Sequence, residues 1–531
     1  MQRRTALQLI GSGVGISILA ACTPAPSATT PPATVSAGAQ TASGAPAATS
    51  APVANAAAQP KSGGTLRIGA AADVNRLDPH FRLGDVYYQV YDRLTQYDQT
   101  HTPQPMLAES WDVSNDFTQI KFVLRKGVQF HNGREMDAAA VKFNSERARD
   151  LPNTQLDEAK WWTAIDTPDK YTVIFKSDKP RPTAFDFFEY LNIAEPATAD
   201  DPKQAIGTGP YKYVEWLQNT SLTLTKNPNY WMSGRPYMDG IAMTVVTDPQ
   251  AMVARFEAGD FDAATLPAND LIRLRDGGNY LSYSYSAGNF AVLGIQCQTP
   301  PWDNKKARQA LQFAVDRERW ANTINRGLEV PSALPWAKSS PAYDEQKSAV
   351  NKFDIDKAKS LLQAAGVNGP LNQELVMSSG QAEYTAFAQV IQNDLAKLGI
   401  TVSIKVQDSA AYLETVNNWR YQGFWLGGGS FAHLDPTTAF VKSRALSVAG
   451  NSSAFTKPVN EAAVALVERG LSEADPAKRK QIYVELSDML LDESYVIGMS
   501  PTTSKLMTTK KVHDLAPTLH SAQKYWDVWL G

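Results

Sequence analysis

The side chains with the widest chemical reach gather in one stretch, residues 423–436, which reads GFWLGGGSFAHLDP. Three consecutive glycines, 427–429, let backbone come close to a ligand, because no Cβ intervenes. Gly428 is the central one. Phe424, Trp425 and Phe431 flank them with flat apolar faces, suited either to stacking on a sugar ring or apolar side chain or to packing in a core. The glycines are not a phosphate cradle, since no Lys-Ser or Lys-Thr pair follows. A lone histidine, His433, does not make a metal site; a hydrogen-bonded or solvated ring is expected there, with no metal and no cofactor. The chain has no HExxH helix, GxSxG elbow, CxxC pair or P-loop. Binding without catalysis is therefore expected, and not an enzyme.

These residues need a large frame. The chain has 531 residues, too many for one compact core, so two or more domains are expected. Its 43% hydrophobic and 20% charged residues can bury cores. Its 51 basic and 54 acidic side chains give a formal charge of −3, with no basic excess for a nucleic-acid partner. The two cysteines, Cys22 and Cys297, lie in unlike contexts, which excludes a disulfide framework. Cys297, in LGIQCQTP, reads as a small buried filler.

Strand signals recur at 65–68, 171–176, 221–226, 241–246 and 401–406; in the last, Val402, Ile404 and Val406 alternate with polar residues. Helices are predicted over 303–320, 354–365 (Asp354 as N-cap, Gly366 as stop), 383–398 (apolar stripe Tyr384, Phe387, Ile391, Leu395, Leu398) and 475–491 (Asp475 as N-cap, Pro476 in the first turn). Helices alternating with strands predict an α/β protein.

The first residues read as an address. Arg3 and Arg4 precede an apolar segment containing Gly11, Gly13 and Gly15, as in a secretory signal. Leu19-Ala20-Ala21-Cys22 resembles a bacterial lipobox, which implies a signal peptide over 1–21 and a diacylglycerol on Cys22. Residues 22–62, almost wholly Ala, Pro, Ser, Thr, Gly and Gln, read as the lipidated N-terminus and a tether without a core. Arg3-Arg4 with Leu7 matches a twin-arginine signal only in part, so Sec and twin-arginine export both stand open. No other apolar run is long enough to span a bilayer, so the expected location is extracytoplasmic, with membrane contact through lipid alone.

Six segments, in order, carry a family resemblance: PMLAESWDVSNDFTQIKFVLRKGVQFHNGREMDAAAVKFNSER (105–147), GTGPYKYVEW (207–216), KNPNYW (226–231), FEAGDFDAA (256–264), PPWDNKKARQALQFAVDRERW (300–320) and FDIDKAKSLLQAAG (353–366). Together they resemble the bacterial extracellular solute-binding proteins of family 5, the oligopeptide- and dipeptide-binding type. The resemblance implies a two-lobe periplasmic-binding-protein fold of the large class II type. Lobe I would comprise 63–100, 206–297 and 497–531, with an extra subdomain at 101–205; lobe II would be 298–496. Two crossover strands near 295–300 and 490–500 would form the hinge. The implied role is capture of a small molecule or peptide by lobe closure, and delivery to ABC permease subunits by a monomer. Sensing a peptide or chelated metal without transport is the alternative.

In peptide-binding relatives an aspartate four residues before the proline of a DP or EP pair meets the peptide ammonium. Here the pair is Asp435-Pro436, and that position is Ala432; no acidic residue occupies 421–434. An ammonium buried there without a partner would cost several kcal/mol. The resemblance also places Arg82, Leu83 and Asp85 on the lobe I wall, and Trp161 or Trp162 as a cover. The candidate ligand-binding set is thus Arg82, Leu83, Asp85, Trp162, Phe424, Trp425, Gly428, Phe431 and Asp435. Modified or neutral peptides, polyhydroxylated solutes, and chelated metals or opines all stand open as ligands.

Overall fold

The computed structural model describes residues 59–74, 76–81, 85–151, 160–201, 204–283, 286–448, 457–517 and 523–531. The expected signal, Cys22 with its expected acylation and nearly all of the expected tether lie outside them. From Gln59 onward the chain is one compact unit built on three main sheets.

The first sheet has seven strands, in the order Tyr280–Tyr283, Leu506–Thr509, Ala263–Thr265, Thr65–Ala70, Gly240–Val245, Ser221–Lys226 and Tyr211–Leu217. Thr65–Ala70 runs parallel to both of its neighbours. Leu66 and Ile68 alternate inward while Thr65 and Arg67 face solvent, as the two-residue side-chain period requires. A four-stranded antiparallel sheet follows Ala108–Val113, Gln119–Leu124, Thr172–Lys176 and Ala164–Asp169. Helix Ala138–Asp150 packs on it, and Asp137 caps that helix by accepting from the Ala140 N–H at 2.9 Å. Phe122, Phe175, Phe187 and Phe188 fill the core of this subdomain.

The third sheet has five strands: Ile400–Gln407, Leu371–Ser378, Gly423–Gly429, Ser286–Ile295 and Val496–Thr503. One contiguous core joins it to helices Lys305–Ala314, Ala382–Ala396 and Pro476–Glu493. Asp354 and Asp475 cap their helices as expected. The expected helix over 303–320 is interrupted: Val315 takes an extended conformation, and a separate turn of π-helix covers Arg319–Ile324. The alternation at 402–406 fades outward, with Val402 buried and Val406 exposed.

The crossovers need correction. The chain passes from the seven-stranded to the five-stranded sheet between Tyr283 and Ser286, and returns between Thr503 and Leu506. The stretches around 295–300 and 490–500 belong to the five-stranded half. Phe290–Ile295 pair with Phe424–Gly429, and Val496–Thr503 pairs with Ser286–Gly294, so strand pairing draws 286–297 and 497–503 out of lobe I and into lobe II. The strands flanking the two crossings pair with each other within each sheet.

Candidate ligand cleft

A cleft of about 580 Å³ opens where the two large sheets meet. Thr265 reaches it from the seven-stranded sheet and Thr502–Lys505 from the returning crossover. Gly427–Gly429, Tyr384, Tyr412 and Arg444 wall it from the five-stranded half.

Each glycine is there for a different reason. A Cβ on Gly429 would sit 2.1 Å from the Phe290 ring, and one on Gly427 would sit 2.4 Å from the Tyr412 hydroxyl. Gly428 is the exposed one; a Cβ there would meet only the Tyr384 hydroxyl at 3.7 Å and the Phe290 carbonyl at 3.8 Å. Pairing with strand Leu371–Ser378 ends at Met377 opposite Leu426. On that side the three glycines therefore present strand edge to the cleft, with backbone donors and acceptors for a bound molecule.

Two charged groupings sit in the lining. Lys505 lies 3.3 Å from Glu383 and donates to Asn325 Oδ1 at 2.6 Å, while Glu329 accepts from Trp320 Nε1 at 2.7 Å and from Ser500 Oγ at 2.5 Å. Burial raises the Glu329 pKa, opposed by these donors and by Lys505. Arg444 differs. Its Nη1 donates to Asn417 Oδ1 at 2.8 Å and its guanidinium stacks over Trp425, 5.1 Å from the ring centroid. Its buried Nε finds no acceptor, and among the described residues no carboxylate lies within ion-pair reach. Burial lowers its pKa, opposed by the nearby Tyr412 and Tyr421 hydroxyls.

Of the candidate ligand-binding set, Gly428 alone among the described residues lines this cleft, between Gly427 and Gly429. Phe424 is fully buried against Trp302, ring centroids 5.0 Å apart. Trp425 is buried on the opposite face, tucked against Gly294, where a Cβ would lie 1.9 Å from its Nε1. Both serve the core because strand Gly423–Gly429 is central in its sheet and covered on both faces. Trp162 is buried in the subdomain core beside Phe175, under the guanidinium of Arg149. Phe431 takes a left-handed backbone (φ 67°), rare for a non-glycine residue, and drives its ring into the subdomain core beside Tyr190. Asp435 caps helix Pro436–Lys442, accepting from the Thr437 N–H at 2.9 Å, and is bonded by Arg479 and by the Tyr483 hydroxyl at 2.5 Å. These five are scaffold rather than cleft wall. Arg82 and Leu83 lie outside the described residues; of Asp85 only its place at the start of helix Asp85–Val90 is described.

Sequence reading missed Arg444, Tyr412, Glu329 and Lys505, and read Tyr384 as part of an apolar stripe. Arg444 left one signal: a cation in the largely apolar run AFVKSRALSV. A second, larger cavity of about 800 Å³ lies between Tyr97, Trp111 and Asp186 on one side and Asp435, Arg479 and Tyr483 on the other. Two of its charged groups are already engaged: Arg479 pairs with Asp435, and the Tyr97 hydroxyl donates to Asp186 at 2.9 Å. The smaller cleft differs in its free strand edge and in lying where the chain crosses between the two large sheets.

The family model for bacterial extracellular solute-binding proteins, family 5 (middle region), matches residues 102–447. The chain belongs to that family. Di/tripeptide-binding protein 1 of Pseudomonas aeruginosa (strain UCBPP-PA14) is 25% identical over 481 residues, covering 83% of this chain and 89% of its own. Among solved structures, the binding protein AgaA of A. tumefaciens R10 in complex with agropinic acid aligns with a TM-score of 0.79 at 26% identity, over 88% of this chain and 99% of its own. The oligopeptide-binding protein AppA of Bacillus subtilis, in complex with a nonapeptide, aligns at 0.78 and 20% identity, over 89% of this chain and all of its own (100%), and shares the fold. This family 5 protein thus has the two-lobe periplasmic-binding-protein architecture. It is a member of a family of binding proteins, and no helix among its described residues is long and apolar enough to cross a membrane.

Proposed function

We propose that this family 5 protein captures a small solute, peptide-like or polyhydroxylated, in the 580 Å³ cleft and hands it to the permease of an ABC importer. The observation that carries this reading is a cleft walled by both halves of the molecule at the point where the chain crosses between them. A solute touching both walls stabilises the closed arrangement over the open one, which makes occupancy readable from outside. Hydrogen bonds bridge the five-stranded half to the rest of the molecule: His101 Nε2 lies 2.5 Å from the His433 carbonyl, the Asp435 N–H donates to Asp186 at 3.2 Å, and the Ala268 N–H donates to Glu383 at 3.0 Å.

The protein acts as a monomer outside the cytoplasm, held to the membrane by lipid on Cys22, and it alters nothing chemically. Arg82, Leu83 and Asp85 complete the wall from the first lobe. Ala432, where peptide-binding relatives carry the ammonium-binding aspartate, is buried, and this favours a solute without a free peptide amine. Two measurements test the reading. Native mass spectrometry of freshly purified protein weighs the solute it carries, and small-angle scattering with and without that solute reports closure. An unchanged radius of gyration despite stoichiometric binding refutes lobe closure, and turnover of the solute refutes pure binding.

A further inference from the structure

We infer that the captured solute carries a carboxylate, and that Arg444 is the residue that selects it. The inference rests on the capture reading above and names the chemistry of that same cleft. Arg444 is half-buried in the cleft wall, and a guanidinium partly withdrawn from water is normally matched by a carboxylate or another anion, since desolvating a charge is costly. Around Arg444 the matching groups are one neutral amide, the hydroxyls of Tyr412 and Tyr421, and the face of Trp425. None carries a negative charge at neutral pH. The buried acids of the cleft, Glu329 and Glu383, are engaged elsewhere, by Trp320 and Ser500 and by Lys505.

The stack on Trp425 and the bond to Asn417 fix the guanidinium plane of an arginine that lines the cleft with no anionic partner among the described residues. A planar oxyanion accepts from an arginine edge in two parallel bonds, a geometry that a hydroxyl cannot copy. Gly428 next to the site leaves room for it, and the exposed glycine strand edge receives the neutral remainder of the molecule.

The test uses the full chain and its R444Q and R444K variants with four probes: agropinic acid, trialanine, trialanine amide and cellotriose. Binding is followed by titration calorimetry, and the melting temperature of the empty proteins is measured in parallel. A carboxylate-bearing probe should bind the native protein and lose about 10- to 100-fold in affinity with R444Q, the range expected for one charge-assisted hydrogen-bonded contact. R444K should keep part of that affinity. Empty R444Q should melt no lower than the native protein, because it sheds an uncompensated charge; a purely structural arginine predicts a clear drop. The assignment is overturned if trialanine amide or cellotriose binds as well as the acids, or if R444Q binds the preferred acid within twofold of native; solute capture survives either result. A native protein that binds none of the four and compacts with none refutes solute capture itself, and the assignment falls with it.

Discussion

Replacing Asp435 with asparagine separates two jobs that one carboxylate performs. Its Oδ1 accepts from the Thr437 N–H at 2.9 Å and caps helix Pro436–Lys442, while its Oδ2 meets Arg479 and the Tyr483 hydroxyl. Side-chain exposure is 9% for Asp435 and 20% for Arg479, so the pair is largely shielded from water and screening discounts it little. Removing one partner of such a pair costs about 3–5 kcal/mol, because the other charge stays buried. Asparagine caps a helix as well as aspartate, so D435N should lose this ion-pair term alone. D435A should lose about 1 kcal/mol more, the value of the cap. R479M should cost less than D435N, since the Thr437 N–H and the Tyr483 hydroxyl still serve the remaining carboxylate. The double variant D435N/R479M removes both charges of the pair and should be more stable than the sum of the single losses. Urea unfolding followed by far-UV circular dichroism across the four proteins measures the cycle. A D435N protein within about 0.5 kcal/mol of native, the range of ordinary surface changes, refutes the buried-pair reasoning.

Other outcomes follow from neighbouring features. G428L should leave the melting temperature near native yet abolish binding of the solute recovered from native protein, because its side chain enters the cleft rather than the core; retained affinity counts against the cleft. G429A should destabilise by about 1–3 kcal/mol in chemical denaturation, since its Cβ overlaps the Phe290 ring. Burial holds His80 and His131 at pKa values of about 4, below the ordinary 6.5. Unfolded chain binds more protons than folded between those values, so melting temperature should fall as pH drops from 6.5 towards 4, and H80Q/H131Q should flatten that slope. The Cys297 thiol, pushed up to about 12 by burial, should resist a thiol-specific reagent in native protein and react fully in denaturant.

Much of the frame was legible because it is written locally. Asp354 and Asp475 announce helix starts through side-chain caps, and the run at 65–68 announces a strand. The crossovers were misplaced because strand partnership is not local: nothing in residues 286–295 says that they lie against 424–429 rather than beside 280–283. The glycine triplet was readable as a close-approach element, yet its aromatic neighbours were not readable as core, since Phe424 and Trp425 look the same in sequence whether a strand is central or at an edge. Arg444, beyond its place in a largely apolar run, was not legible for a related reason. Its importance comes from what is missing around it, and a missing countercharge shows only when residues distant in sequence are brought together.

The position of Leu506–Thr509 in the seven-stranded sheet sets the order in which the protein can be completed. That strand lies between Tyr280–Tyr283 and Ala263–Thr265, inserted by a late stretch of the chain into a sheet whose other members come from residues 65–283. During synthesis or translocation the N-terminal half therefore waits with a gap in its sheet, and two strand edges stay unmatched until the last stretch arrives. A factor that shields nascent chains has its longest task here at the beginning of the sequence, and a truncation that removes only the final strands disables the half made first.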